Sequence, residues 1–437
     1  MVAEHKHLFS MALFLRQRRH LLLAIALCTL VPINLWAAQP GTVAVGDVHG
    51  DLDDFVAILQ KAGLIDQERR WHGGATVFVQ VGDLIDRGPR PREVMDLVMT
   101  LEPEAKKAGG RVVSVLGNHE VMNLMGDLRY VTPENYASFA EENSEKHRRS
   151  AWQAFSKWRA GHANLMAELP AVQNLTEADW TAQHPLGFLE QREAFSPGGK
   201  YGKWVRGRPA IVKIGNVVFL HGGLDPSIAA MGLDTINSRI HEEITTFDTT
   251  RQYLVGRGLI LPFFTLQEIV AVVQAELRVE RAHPVPQPEQ LQYQITPFIG
   301  LQDWLSVRPN GPLWFRGYDE WSEEEGNSQL PKILQVCGAT SIVVGHTVQK
   351  EKHIRSRFDG KVFLIDTGML GSYYPGGKPS ALEIRGDGEI AAEYLEQRVV
   401  LQSAKVSPPN SAKAGKDAKD MLGGTDLSAV TVVGTKN

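Results

Sequence analysis

Gly46-Asp47-Val48-His49-Gly50 follows directly on the apolar run Thr42-Val43-Ala44-Val45, and the reading of that junction decides the fold. A short β-branched run that stops at glycine is a strand signal. Four further junctions repeat it. Ala75 to Val81 runs into Gly82-Asp83-Leu84-Ile85-Asp86-Arg87-Gly88, and Arg111 to Leu116 into Gly117-Asn118-His119-Glu120. Val217 to Leu220 leads into His221-Gly222-Gly223, and Ser341 to Val344 into Gly345-His346-Thr347. Helical stretches separate the first three strands: Asp51 to Ala62, with Phe55 and Leu59 on one side, and Pro91 to Leu101, carrying Val94, Leu97 and Val98. Alternating strand and helix implies an α/β chain with parallel strands and right-handed crossovers. Ligands of such sheets sit beyond the carboxyl ends of the strands, where all five blocks fall.

Two long segments interrupt this pattern, at about 126–210 and 224–310, and both read as helical insertions. In the first, Tyr136, Phe139, Trp152, Phe155 and Trp158 recur at spacings near three or four, the pattern of helices packing aromatics inward. The second contains an amphipathic helix over Leu266 to Val279, broken by Pro284-Val285-Pro286-Gln287-Pro288. Residues 403–437 are rich in Ser, Lys, Ala, Gly and Asp and lack aromatics, the composition of a disordered tail. Residues 39–402 are then the catalytic domain.

Lys6, Arg16, Arg18 and Arg19 precede the apolar run Leu21 to Trp36, and Ala37-Ala38 follow it. Residues 1–38 therefore read as a secretory signal, with retention as a membrane anchor the alternative. The expected location is periplasmic or secreted, or anchored and facing the periplasm. Net charge is −4, and −7 without that leader, which argues against nucleic acid as a partner. Cys28 lies in the leader, so Cys337 alone remains and no intramolecular disulfide is expected. Its apolar surroundings suit a buried small hydrophobe.

The five blocks carry metal-site chemistry. Asp47 and His49 are one residue apart, so both can turn from a strand end toward one ion, and Asp83 can bridge two ions with its two oxygens. Asn118, His221 and His346 supply neutral ligands for the second ion. Mixed oxygen and nitrogen sets suit Mn, Fe or Zn better than Mg or Ca. Two such ions can share a hydroxide and bind phosphoryl oxygens. His119 is left free as general acid on the leaving oxygen, with Asp86 placed to orient it. Arg87 offers a fork to phosphate, and Arg316, in Pro312-Leu313-Trp314-Phe315-Arg316-Gly317-Tyr318, is a further phosphate-binding candidate. Arg206 and Arg208 are weaker candidates. His147, His162, His184, His241, His283 and His353 read as structural or solvated.

Together these residues resemble the calcineurin-like metallophosphoesterases. The set Asp-x-His-Gly, Gly-Asp-x-x-Asp-Arg-Gly and Gly-Asn-His-Glu looks like the phosphoprotein phosphatase branch. Gly126-Asp127-Leu128-Arg129-Tyr130 and Leu313-Trp314-Phe315-Arg316-Gly317 resemble bacterial Shewanella-like protein phosphatases, several of which prefer phosphotyrosine. The resemblance implies a four-layer α/β/β/α sandwich and direct attack by metal-bound hydroxide. It assigns Asp47, His49 and Asp83 to one ion and Asp83, Asn118, His221 and His346 to the other. It also pairs His119 with Asp86 as the acid and sets Arg87 and Asn118 on phosphate. The expected substrate is a phosphoprotein or small phosphoester. Alternatives are hydrolysis of diadenosine polyphosphates or other nucleotides, and a metal-dependent binding protein without turnover. The eukaryotic C-terminal substrate groove and toxin loop have no counterpart, so toxin sensitivity and Ser/Thr preference are not expected, and the long insertion before His221 implies a remodelled substrate mouth.

Overall fold

The structure, a computed structural model, describes residues 41–282, 295–296 and 298–404. The leader, the Pro284–Pro288 break, His283 and the tail beyond residue 404 lie outside these residues. Among the described residues no helix is long and apolar enough to cross a membrane.

Three strands open the fold: β1 (Thr42–Val45), β2 (Val77–Gln80) and β3 (Arg111–Ser114), paired in parallel in that order. Helix α1 (Leu52–Lys61) joins the first pair and α2 (Pro91–Lys107) the second. Asp51 caps α1 by accepting from the Asp54 amide, and Pro91 opens α2 where its missing N–H costs nothing. The sequence stops α2 at Leu101; the helix instead continues through Pro103, because Leu101 and Ala105 are both fully buried on its inner face. Helix α3 (Asn118–Met125) follows β3 at once.

The second sheet is built from β4 (Ile211–Ile214), β5 (Val217–Leu220), β6 (Ser341–Val344), β7 (Arg355–Arg357) and β8 (Val362–Leu364), in the order β4-β5-β6-β8-β7. β5, β6 and β8 are parallel, while β4 and β7 run antiparallel at the edges. The chain then returns to the first sheet as β9 (Ser380–Ile384), β10 (Ile390–Tyr394) and β11 (Arg398–Gln402), all antiparallel, giving the order β11-β10-β9-β1-β2-β3. Both sheets are thus mixed, where the first strands alone imply parallel ones.

Period-two alternation creates the layers. Ala44, Val79 and Val115 meet Phe219, Val343 and Phe363 in a core between the two sheets. The alternate residues, Val43, Val45, Phe78 and Val112 in one sheet and Val218, Leu220, Ile342 and Val344 in the other, face outward. There they pack on helices, with Phe55, Leu59, Val94 and Val98 from α1 and α2 and Ile333 and Leu334 from the helix Glu323–Cys337. The result is the four-layer α/β/β/α sandwich. Cys337 is buried and free, and burial pushes its thiol up.

The first insertion is helical from Pro133 to Arg206, and its aromatics pack inward. Phe155 and Trp158 stack on each other and against Phe264 of the second insertion. Trp180, fully buried, lies between Trp152, Phe155 and His184. The helix Leu266–Ala282 carries the amphipathic stretch of the second insertion.

Candidate functional site

Every block lies where a strand ends, and the two sheets bring those ends together. Asp47 and His49 follow β1, Asp83 follows β2, Asn118 opens α3 after β3, His221 follows β5 and His346 follows β6. The glycines are there because carboxylates pass over them: a Cβ on Gly117 would overlap Asp83 Oδ1, and one on Gly345 would overlap Asp47 Oδ1. The backbone is also bent out of its ordinary range. His49, Asp83, Asp86, Arg87 and His346 have φ of 49°, 57°, 67°, 65° and 65°, a left-handed region costing L-residues about 1–2 kcal/mol each. Clustering of such residues marks a functional site. Hydrogen bonds hold the bend. The Asp83 carbonyl accepts from the Val48 and His49 amides at 2.9 and 3.0 Å, and the Glu120 carboxylate accepts from the Asp83, Leu84 and Gly117 amides at 2.8–2.9 Å.

Asp83 Oδ2 is the meeting point. It lies 3.2 Å from His221 Nε2, 3.7 Å from His119 Nε2 and 3.8 Å from His49 Nε2, and Asp47 Oδ2 is 3.7 Å from the last. His49 Nδ1 donates to Ile85 O and His221 Nδ1 to Val81 O, both at 2.9 Å, so each ring turns Nε2 inward. Asn118 Oδ1 stands 2.8 Å from His221 Nε2. His346 donates its backbone N–H to Asp47 Oδ1 at 3.0 Å, and its ring packs 4.9 Å from that of His221. Two groups of side chains are spaced to hold an ion: His49, Asp83 and His119, and Asp83, His221 and His346.

The electrostatics fit positive charge at this point. Burial, with Asp366 and Asp83 nearby, drives the Asp47 carboxyl well above its usual range. Burial would raise Asp83 too, but the imidazoles of His221, His119 and His49 outweigh it and hold it well below that range. Burial opposes charge on His221, yet Asp83 and Asp47 push it up to about 9. Burial, aided by Arg87 at His49 and by His221 at His346, keeps those two rings neutral, the form in which imidazole binds metal. His346 Nε2 and Asp366 Oδ2 are buried without a hydrogen-bond partner. Converging lone pairs of carboxylate, amide and imidazole, some of them unpartnered, suit a metal cation.

Beside this cluster the structure brings His119 and Asp86 together. His119 Nδ1 lies 2.7 Å from Asp86 Oδ2, and His119 Nε2 faces the Asp83 carboxylate. Arg87 donates from Nη2 to His119 Nε2 at 3.0 Å and from Nη1 to His49 Nε2 and the Tyr374 hydroxyl. Arg316 is exposed, with Nη1 3.2 Å from Thr347 Oγ1 and 3.4 Å from His346 O, and forms no ion pair among the described residues. The backbone around it is tied to the His221 block, since the Gly222 and Gly223 amides both donate to Pro312 O. Arg206 and Arg208 are elsewhere, paired with Asp248 and Glu102. His162 and His184 stack on Trp158 and Trp180, while His147, His241 and His353 bond Glu190, Asn237 and Glu351.

Several residues of the site are not among those read from the sequence. Asp366 follows β8 and precedes Thr367-Gly368, a strand–acid–glycine junction like the other blocks, so its signal was present; burial pushes its carboxyl up to about 6. Asn123 donates to both Asp86 oxygens at 2.9 and 3.0 Å. Tyr130, Tyr373 and Tyr374 surround the Arg87 guanidinium with ring centroids 5.2–5.5 Å away. A cavity of 590 Å³ lined by Met122, Met125, Trp314 and Phe315, with Arg129 and Arg316 among its polar walls, meets the site at Trp314, whose ring lies 5.8 Å from that of His346; none of the candidate ligands lines it.

The calcineurin-like phosphoesterase family pattern matches residues 42–350. Shewanella-like protein phosphatase 1 of Plasmodium berghei is 26% identical, spanning 84% of this chain and 76% of its own length. Shewanella-like protein phosphatase 2 of Arabidopsis thaliana is 32% identical over 47% of this chain and 52% of its own. A solved structure of a cold-active protein tyrosine phosphatase shares 25% identity and a TM-score of 0.52, covering 83% of this chain and 79% of that one.

Proposed function

We propose, because this chain belongs to the calcineurin-like phosphoesterase family, that it is a dinuclear-metal phosphomonoesterase acting on phosphoproteins, phosphotyrosine in particular. The observation that carries a phosphatase reading is the placing of His119. It shares the Asp83 carboxylate with the metal cluster while its other nitrogen is held by Asp86. In this reading Asp47, His49 and Asp83 hold one ion, and Asp83, Asn118, His221 and His346 the other. Bound metal supplies the charge that activates water and neutralises the phosphoryl oxygens.

The chain's own side chains do the rest. Arg87 and Asn118 orient the phosphoryl group, and Arg316 approaches from the cavity side. With substrate bound, Arg87 turns from His119 Nε2 to the phosphoryl oxygens, and that nitrogen, then protonated, gives its proton to the leaving oxygen as water adds to phosphorus and the ester P–O bond breaks. Asp86 keeps the ring aimed by accepting from Nδ1–H. A phosphotyrosine preference is supported by the aromatic and methionine lining of the adjoining cavity and by the name of the structural neighbour. With a leader at residues 1–38 the reaction would take place in the periplasm or outside the cell, which cell fractionation checks.

The test is a substrate panel in the presence of Mn: p-nitrophenyl phosphate, phosphotyrosine peptide, phosphoserine peptide and diadenosine tetraphosphate. Turnover of p-nitrophenyl phosphate and faster release from phosphotyrosine than from phosphoserine are expected. Turnover confined to diadenosine tetraphosphate would make the chain a nucleotide hydrolase. Metal binding with no turnover at all would make it a binding protein.

A further inference from the structure

Asp86 does not stand alone behind His119. The side-chain amide of Asn123 donates from Nδ2 to both carboxylate oxygens and to His119 O, and Asn123 is 1% exposed. Asn123 is in turn held by the first insertion, through α4 (Phe188–Ala194). Gln191 Nε2 donates to Asn123 Oδ1, and Arg192 Nη1 donates to Asn123 O at 3.0 Å. Gln191 and Arg192 are buried, and Arg192 packs so closely on Gly126 that a Cβ there would meet its guanidinium.

Chemistry fixes the polarity of this chain of contacts. An ionised carboxylate only accepts, so the Asn123 atom facing Asp86 must be nitrogen. Its oxygen therefore faces Gln191, which must present its own nitrogen. Without that donor the buried Asn123 oxygen is left unpaired, and the amide loses the contact that sets its position against the carboxylate.

We propose that Gln191 and Asn123 are positioning residues through which the helical insertion fixes the Asp86 carboxylate and so aims His119. This rests on the reading of His119 as the general acid. The insertion is then part of the proton-delivery apparatus as well as a layer over the core.

The experiment measures kcat on phenyl phosphate, a poor leaving group, and on 2,4-dinitrophenyl phosphate, a good one, for the wild type, Gln191→Leu, His119→Asn and the double variant. Metal content is measured on each. Gln191→Leu should lose roughly tenfold on phenyl phosphate and less than about twofold on the dinitrophenyl ester, because only a poor leaving group needs the acid. In the His119→Asn background the same change should cost nothing further on either ester. Equal loss on both esters, an undiminished loss without His119, or no loss at all overturns the proposal. If Gln191→Leu does not fold, Gln191→Glu keeps the size, replaces the donor by an acceptor and gives the same readout. Should His119→Asn alone lose equally on both esters, the acid assignment itself fails, and that is seen with Gln191 untouched.

Discussion

Asp83 carries more of the site than any other side chain. Oδ2 faces three imidazoles at 3.2–3.8 Å, and Oδ1 accepts from the His119 amide at 3.0 Å. Both oxygens are thereby engaged, one on the imidazole cluster and one on the backbone that carries His119. Asp83→Asn replaces a carboxylate oxygen by a donor N–H that faces the same cluster. Loss of both ions is expected, since each proposed ligand set includes Asp83. Mass spectrometry of the purified protein checks this, and full retention of both metals would remove Asp83 as the bridge. Glu120 acts differently: burial, with Asp83 nearby, pushes it up to about 7, and its oxygens are spent on three backbone amides. It shapes the loop that positions Asp83 and does not face the cation cluster.

Between strand and helix, the junctions were legible and the remainder of the sheets was not. β1, β5 and β6 begin and end where the apolar runs do, because glycine stops β1 and β6 at once and follows His221 after β5. Strands β7 and β9 to β11 gave no comparable signal. β7 is Arg-Ser-Arg, and the apolar run of β11, Val399-Val400-Leu401, is only three residues long, lies between Arg398 and Gln402 and meets no glycine. They are strands because a neighbour pairs with them. The site divides the same way. Ligands sit beside glycine and were readable, whereas Asn123 reaches Asp86 across 37 positions and Gln191 reaches Asn123 across 68, contacts that only the fold makes. The junction after β3 makes a prediction at this scale. Gly117→Ala would drive a methyl group into Asp83 Oδ1, the Asp83 amide and Glu120 Oε2 at once. Overpacking of this kind costs about 1–3 kcal/mol, and here it falls on the Asp83 carboxylate. Circular dichroism should be unchanged, while bound metal and turnover are lost. A variant with wild-type metal content would show that the junction yields elsewhere.

Across the whole molecule, the candidate metal ligands lie where the two sheets meet. Asp47, Asp83 and Asn118 come from the six-stranded sheet, and His221, His346 and Asp366 from the five-stranded one. Direct bonds already cross between them, from His221 Nδ1 to Val81 O and from the His346 amide to Asp47. The apolar layer of Ala44, Val79, Phe219, Val343 and Phe363 crosses as well and needs no ion. Chelation should therefore leave the sandwich folded but less stable. It uncovers like charges on Asp47, Asp83 and Asp366, each of which raises or is raised by another. Ligand linkage sets the scale: an ion present at a hundred times its dissociation constant contributes about 2.7 kcal/mol. In a chain of this length that is a fall in Tm of several degrees. Scanning calorimetry with and without chelator checks it, and Asp83→Asn should show little of the shift because its ions are already gone. An unchanged Tm after verified removal of metal would mean that the two sheets are held by their apolar layer alone, and that the cations serve chemistry without bracing the fold.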